Sequence, residues 1–277
     1  MSERELVGMV VPTVDNSFFA NLAYYAERFL YDEGYAMLLC SSANSAEKEK
    51  TYLRTLAQTG VKGILCVSGL SAVESGLLPE NVPLVWVDRH PASEEKIPWV
   101  ANDDCEAMRE ATEYLLDKGC KNILLMPGYL AEKHTSPRVL GYEQALRSRG
   151  IEPNPAFILN RKGVRPSEIE TEELIREVME QTDSVDAVIT SSDRAAFGVI
   201  TALRSVGLYV PEDVKLISFD NSPYSTMASP AITAIDRNPE QLAREACAVL
   251  MGLIRHEQPQ LLEHIVPVSF IKRDSTR

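Results

Sequence analysis

The sequence predicts an α/β protein built on parallel sheets, and two observations lead to that fold class. Short apolar runs rich in β-branched residues, such as Val185–Thr190, alternate along the chain with stretches of helical periodicity. Glycine follows several of the helical stretches, as Gly207 does, and glycine is the usual residue just past a helix end. Repeated strand–helix units of this length build a parallel sheet with helices on both faces.

The predicted elements follow one another without a long linker or a low-complexity tract. Apolar runs predict strands at 6–11, 36–40, 63–67, 83–87, 123–126, 157–159, 185–190 and 214–219. Amphipathic spacing predicts helices at 18–31, 46–58, 107–116, 138–149, 166–181 and 197–204. These are more strands than one compact sheet usually holds, so we expect two doubly wound lobes with a binding cleft between them.

Composition excludes several function classes. The net charge of −12 and the sequence pI near 4.9 oppose binding to a phosphate backbone, so this chain by itself should not bind nucleic acid strongly. No run approaches the ~20 apolar residues of a membrane span, and the start lacks the apolar core of a secretory signal. The five cysteines show no CxxC spacing and suit reduced thiols in the cytoplasm.

Polar and aromatic residues cluster where the predicted strands end. They are Val14–Phe19 in the first loop, Asp88–Arg89, Arg138 at a helix start, Ser192–Asp193 and Asp220–Asn221. The carboxyl edge of an open parallel sheet is where such folds bind ligands. Aromatic rings beside carboxylates and a guanidinium suit a sugar or another small polar metabolite. No cofactor or metal is expected, because the four histidines are scattered and no Cys/His cluster occurs.

Each of these residues also has a purely structural interpretation. Phe18 and Phe19 could belong to the core face of a helix. Asp15, Asn16, Asp88 and Asp220 could be helix caps or turn residues, and Arg138 could lie on the surface. Their convergence on one edge of the predicted sheet favours a site, because unrelated caps need not gather there.

Several motifs resemble the effector-binding domain of lactose-repressor (LacI) family transcription regulators, and the resemblance covers nearly the whole chain. The opening VGMVVPTVDNSFFANL is similar to the family's first strand and NPFF loop, with Ser17 where proline is usual. VPLVWVDRHP, SPRVLGYEQAL, SSDRAAFG, GLYVPEDVKLISFD and the closing IKRDSTR resemble further family segments. The closing segment is one that sugar-binding proteins of transport systems generally lack.

The resemblance implies a set of effector-binding residues: Asn16, Phe18, Phe19, Asp88, Arg138, Ser192 and Asp220. Ser192 stands where the family usually has asparagine, and Asn221 replaces the second aspartate of the family's FDD motif. A sugar acid or a sugar phosphate stays an alternative to a neutral sugar as the effector, because several basic residues are candidates for the rim of the cleft. They are Arg89, Lys133, Arg138, Arg161 and Arg165.

The resemblance also implies a periplasmic-binding-protein-like fold of type I, whose two lobes are discontinuous in sequence. The expected lobes are 6–100 with 237–265, and 101–236 with 266–277. The chain is expected to cross between them near 99–102, 234–238 and 265–268, and to add a helix at 240–255 to the first lobe. The family's helix-turn-helix headpiece, through which operator DNA would be bound, is expected to be missing ahead of Leu6. A homodimer is implied, with an interface that includes the surroundings of Tyr52–Leu56 and Met227.

Two other function classes fit the sequence less well. An enzyme finds little support, because the chain has no GxSxG nucleophile elbow, no GxxxxGK[ST] phosphate loop and no GxGxxG fingerprint. A sugar-binding protein of a transport system shares the expected fold and ligand chemistry and remains the alternative. The closing IKRDSTR and the VPEDV segment favour the cytoplasmic regulator.

Overall fold

The computed structural model describes residues 4–72, 77, 81–91, 96–128, 136–160, 167–182, 184–257, 259 and 261–277. These residues form two compact units, each discontinuous in sequence. Unit 1 contains the described residues up to Asn102 together with Asn238–Pro267, and unit 2 contains Asp103–Arg237 together with Val268–Arg277. The chain therefore passes from one unit to the other at three places.

Strands and helices alternate along most of the chain. The strands, numbered in chain order, are β1 (Glu5–Val11), β2 (Tyr35–Ser41), β3 (Ile64–Cys66), β4 (Leu84–Val87), β5 (Trp99–Asn102), β6 (Ile123–Met126), β7 (Ala187–Thr190), β8 (Lys215–Phe219), β9 (Thr233–Asp236), β10 (Glu263–Val266) and β11 (Ser269–Ile271). The α-helices are α1 (Ser17–Asp32), α2 (Ala46–Thr59), α3 (Asp104–Asp117), α4 (Pro137–Ser148), α5 (Ser167–Gln181), α6 (Asp193–Ser205), α7 (Pro223–Met227) and α8 (Pro239–Ile254). Short 3₁₀ turns occupy Pro155–Phe157 and Asp274–Thr276.

Unit 1 is a parallel sheet in the order β10-β5-β4-β3-β1-β2, covered on both faces. Helices α1 and α8 pack on one face through a cluster that includes Leu22, Leu30 and Leu250, while α2 covers the other face through Leu53 and Leu56. Because every strand pair is parallel, all the carboxyl ends lie on one edge of this sheet.

Unit 2 has the sheet order β11-β9-β8-β7-β6, with helix pairs α3–α4 and α5–α6 on its two faces. Strands β6 to β9 are parallel, and β11 joins the edge antiparallel to β9. The α/β architecture of doubly wound sheets predicted from the sequence is confirmed. The antiparallel β11 is an addition that the repeated strand–helix pattern did not predict.

The end of the chain is tied into unit 2 by hydrogen bonds to β8 and β9. Ser275 Oγ donates to the carbonyl of Leu216 at 2.5 Å and accepts from the backbone N–H of Thr233 at 2.8 Å. Arg273 donates to the carbonyl of Ile232 at 2.7 Å. The closing IKRDSTR segment therefore holds the strands whose carboxyl ends carry the candidate site.

Two predictions about individual elements are wrong. Residues 157–159 are not a strand: Pro155–Phe157 forms a 3₁₀ turn, and Ile158 makes a single bridge to Leu125. The N–H of Phe157 donates to the carbonyl of Asn154 at 2.9 Å within that turn, so it is not available to a strand ladder. Residues 99–102, expected only as a crossing segment, form strand β5, which pairs with both β4 and β10.

Helices α3 and α4 approach closely because Gly141 lies at their contact. A Cβ at Gly141 would lie 2.0 Å from the carbonyl oxygen of Cys105 in α3. Gly198 plays the same part between α5 and α6, where a Cβ would lie 2.2 Å from the carbonyl oxygen of Glu168. Both glycines lie one or two turns inside a helix, so they bring the N-terminal ends of the paired helices together at the carboxyl edge of the sheet.

Among the residues that the structure describes, no helix is long and apolar enough to cross a membrane.

Candidate functional site

The carboxyl edge of unit 2 gathers two arginines and two aspartates that come from four separate segments. Asp220 follows β8 and Arg237 follows β9, while Asp104 and Arg138 lie in the first turns of α3 and α4. The helices of an α/β sheet run antiparallel to its strands, so their N-terminal ends meet the carboxyl ends of the strands. All four side chains are mostly buried, with exposed fractions between 4% and 20%.

Arg138 is held by three neighbours. Its Nε donates to Asp104 Oδ2 at 2.8 Å, and its Nη1 donates to the carbonyl of Pro127 at 3.5 Å. Its guanidinium lies over the ring of Phe219, with Cζ 4.0 Å from the ring centroid. The structure therefore places Arg138 at the predicted sheet edge and excludes the interpretation of a surface arginine.

Arg237, which the sequence reasoning did not single out, links the two aspartates. Its Nε lies 3.7 Å from Asp104 Oδ1, and its Nη1 lies 3.6 Å from Asp220 Oδ1. Burial lowers the pKa of Arg237 to about 9. Arg237 was missed because no strand was predicted over Thr233–Asp236, the strand that it directly follows.

The backbone holds Asp220 in an unusual conformation. Its φ is +94°, in the region that residues other than glycine rarely occupy, and its N–H donates to the carbonyl of Ile235 at 2.9 Å. The next residue, Asn221, donates to Asp236 at 2.9 Å and accepts from Arg273 Nη2 at 2.5 Å. Asp220 is thus presented by a turn fixed from β9 and from the C-terminal segment.

Ser192 and Asp193 begin helix α6 and are engaged within unit 2. The Ser192 hydroxyl oxygen accepts from the N–H of Ala195 at 3.2 Å and caps the helix. Asp193 accepts from the Ser218 hydroxyl and from the N–H of Ser222, the latter at 2.5 Å. Burial raises the pKa of Asp193, while these hydrogen bonds act in the opposite direction. Asp193 therefore joins α6 to the turn after β8.

In unit 1, the first loop places two aromatic rings at the start of α1. Asn16 caps the helix, since its Oδ1 accepts from the N–H of Phe18 at 2.8 Å and of Phe19 at 3.3 Å. The two rings meet edge to face, with centroids 5.3 Å apart, and both are buried in the core beneath α1. Asn16 is therefore a helix cap, and both rings belong to the core of unit 1. Contact of these three residues with an effector stays a prediction.

Asp88 directly follows β4, in a tight turn. The N–H of Arg89 donates to the carbonyl of Val87 at 2.7 Å, and the φ of Asp88 is +65°, which together define the strained form of the γ-turn. Arg89 Nε lies 3.5 Å from Asp88 Oδ2, and its guanidinium lies 5.2 Å from the Phe19 ring centroid. The structure therefore brings Phe19, Asp88 and Arg89 together.

A buried carboxylate near the end of β3 was also missed. Glu49 of α2 is 1% exposed and accepts from Ser68 Oγ at 2.5 Å and from the N–H of Gly69 at 2.8 Å. Burial, with the Glu49 charge adding to it, raises the pKa of the neighbouring Cys66 thiol. No sequence pattern pointed to this role of Glu49, because a glutamate in the first turn of a helix is ordinarily a surface residue.

Three of the proposed basic residues and one histidine lie outside the described residues: Lys133, Arg161, Arg165 and His134. His90 is described, and its ring stacks on Trp99 with centroids 4.5 Å apart. Over the part of the chain that is described, no three His, Cys, Asp or Glu side chains form a group that could hold a metal ion.

The fold and these two sheet edges define an α/β binding domain of the periplasmic-binding-protein type, and the comparisons with known proteins agree. The model of the periplasmic binding protein-like domain family matches residues 112–276. The chain therefore belongs to the periplasmic binding protein-like domain family.

Its relatives are transcription regulators. The chain is 28% identical over 273 residues to the ribose operon repressor of Halalkalibacterium halodurans, covering 98% of this chain and 80% of that protein. It is 30% identical over 251 residues to the HTH-type transcriptional repressor PurR of Histophilus somni, covering 90% and 74%. The structure resembles a periplasmic binding protein/LacI transcriptional regulator from Alkaliphilus metalliredigens complexed with D-xylulofuranose, with a TM-score of 0.86, 28% identity and 99% of each chain covered.

Proposed function

We propose that this chain is the effector-binding part of a LacI-family transcription repressor. It binds a small polar metabolite, a sugar or sugar derivative, and thereby changes the affinity for operator DNA of a helix-turn-helix headpiece outside these residues. The protein works in the cytoplasm as a homodimer, since paired headpieces match a palindromic operator. The ribose repressor and the regulator with bound D-xylulofuranose support a sugar as the effector.

The observation that carries the proposal is that the two units repeat one arrangement at the carboxyl edge. Each unit has an aspartate with positive φ directly after a strand: Asp88 after β4 and Asp220 after β8. Each edge also has an arginine over an aromatic ring, Arg89 with Phe19 and Arg138 with Phe219. Strained non-glycine backbone persists where the surrounding structure enforces it, and it is concentrated at ligand sites.

The chemistry of these groups suits a polyhydroxylated ligand. Carboxylates such as Asp88 and Asp220 accept hydrogen bonds from sugar hydroxyls, and aromatic rings pack against the C–H faces of sugars. Asn16 and Ser192 already use their side-chain oxygens as helix caps, so the proposal assigns them the donor role, through an amide N–H and a hydroxyl respectively. Phe18 supports Phe19 from within the core.

The test is a thermal-shift screen with D-ribose, D-xylulose, D-ribonate, D-ribose 5-phosphate and adenine, followed by calorimetry on any compound that binds. A ligand at a hundredfold excess over its Kd adds about 2.7 kcal/mol, which at ~2–4 °C per kcal/mol raises the Tm by roughly 5–11 °C. Asp220→Asn should abolish the shift, whereas Glu212→Gln, which removes an exposed charge, should leave it unchanged. The proposal fails if no compound binds, or if binding persists in Asp220→Asn.

The second candidate function is that of a sugar-binding protein in a transport system, which the family's fold also serves. Arg273 and Ser275 make hydrogen bonds that give the closing segment a structural role in unit 2. The relatives that are repressors favour the regulator over the transport protein. Light scattering distinguishes the two, because the regulator should be a dimer in solution and a transport binding protein should be a monomer.

A further inference from the structure

The four charged side chains at the carboxyl edge of unit 2 alternate in sign. Arg138 contacts Asp104, Asp104 contacts Arg237, and Arg237 contacts Asp220, with N–O distances of 2.8, 3.7 and 3.6 Å. Two guanidinium groups thus face two carboxylates, and the charges of these four side chains sum to zero. Buried charges are retained only when they are paired in this way.

Asp104 occupies the central position, since it contacts both arginines through different oxygens. Oδ2 accepts from Arg138, while Oδ1 faces Arg237. Its place is enforced by the fold: Asp104 is the first residue of α3, and Gly141 allows α3 to lie directly against α4, from which Arg138 projects. The packing of α3 against α4 therefore fixes Asp104 at this edge, and its contact with Arg138 is not an incidental surface ion pair.

This arrangement bears on which effectors the edge accepts. A carboxylate or phosphate placed on Arg138 would lie beside Asp104 in a mostly buried setting, where like charges repel strongly. A sugar hydroxyl can accept from a guanidinium and donate to a carboxylate at the same time, so it changes no charge. The described residues of this edge therefore suit an uncharged group.

We propose that Asp104 sets the charge selectivity of the effector site by neutralising Arg138 and Arg237, so that the site accepts a neutral sugar and disfavours a sugar acid or sugar phosphate. This inference rests on the proposed effector site. It assigns Asp104 a specificity role that the sequence did not indicate, and it decides between the neutral and anionic effectors that the sequence left open.

The first test compares matched ligands on the wild-type chain by calorimetry: D-ribose against D-ribonate and D-ribose 5-phosphate, and D-glucose against D-gluconate and D-glucose 6-phosphate. We expect at least one neutral sugar to bind about tenfold or more tightly than its own anionic derivatives. Tighter binding of an anionic member overturns the charge selectivity while leaving the proposed function standing. If no compound of either kind binds, the proposed function itself fails.

The second test uses Asp104→Asn, which keeps an oxygen for Arg138 but removes the charge. The ratio of anionic to neutral affinity should rise about tenfold or more in this variant. The matched control is Asp103→Asn one residue earlier, which removes the same charge from an exposed helix cap that asparagine also serves. An equal ratio in the two variants overturns the role of Asp104. If Asp104→Asn does not fold by circular dichroism, the wild-type comparison decides the matter.

Discussion

Replacing Gly141 with alanine should destabilise unit 2, because the added methyl group has no room against helix α3. The new Cβ would lie 2.0 Å from the carbonyl oxygen of Cys105 and 3.0 Å from the backbone nitrogen of Arg109. Both obstacles are backbone atoms, which cannot move aside as a flexible side chain can. Helices α3 and α4 must therefore separate, and the Arg138–Asp104 contact at their N-terminal ends should lengthen.

The magnitude follows from two opposing effects. Overpacking a tight contact costs about 1–3 kcal/mol, and a clash with backbone belongs in the upper half of that range. Alanine is favoured over glycine inside a helix by about 1 kcal/mol, which offsets part of the loss. The net expectation is a loss of roughly 1–2 kcal/mol, which corresponds to a decrease in Tm of roughly 2–8 °C for a unit of this size.

The assay is urea unfolding followed by circular dichroism, with Gly252→Ala as the matched control. Gly252 also lies in a helix, α8, but its nearest new contact would be the Glu257 carboxylate at 3.5 Å, an ordinary van der Waals distance. Without a clash, this variant should gain up to about 1 kcal/mol. If Gly141→Ala proves as stable as Gly252→Ala, the close contact between α3 and α4 at Gly141 is wrong.

Two further predictions concern buried titratable groups. Because burial raises the pKa of Asp193 above its unfolded value, the stability gained from its protonated form is present below about pH 4 and is lost as the pH rises through the folded pKa. The Tm of wild type minus that of Asp193→Asn should therefore fall as melts are taken from pH 3.5 to 7; a constant difference would contradict the raised pKa. Burial raises the pKa of Cys247 to about 12, so this thiol should resist a disulfide reagent at pH 8 in the native protein and react only in denaturant. Peptide mapping after labelling should find the half-buried Cys40 modified well before Cys247, and equal labelling would refute the prediction.

The sequence predicted the sheet edges well because they depend on local order. A polar residue that directly follows a buried strand must lie at the carboxyl edge, so Asp88 and Asp220 could be placed without knowledge of the contacts between elements. The prediction of a strand at 157–159 was wrong for a reason visible in the sequence, namely Pro155, which indicates a turn. Strand β10 was missed because its partner β5 lies about 160 positions away in sequence, and no local pattern reveals such a pairing.

The partners within the site were less accessible from the sequence. Asp104 and Arg237 form their contacts across segments that are distant in the chain, and an aspartate in the first turn of a helix is common enough to attract no attention. Phe18 shares its core cluster with residues of α8, which lies more than 200 residues later in the sequence. A pattern predicts which face a residue occupies, but packing decides how much of it remains available to a ligand.

The discontinuity of both units has a consequence for the way the protein is made. Helix α8 supplies Leu242, Leu250 and Met251 to the core of unit 1, and the final residues Arg273–Thr276 complete the hydrogen bonding of unit 2. Neither unit can close its core while residues 239–276 are still inside the ribosome, although domains of continuous sequence commonly fold in order of synthesis. Both units should therefore complete their folding only after the same stretch, residues 239–276, has left the ribosome.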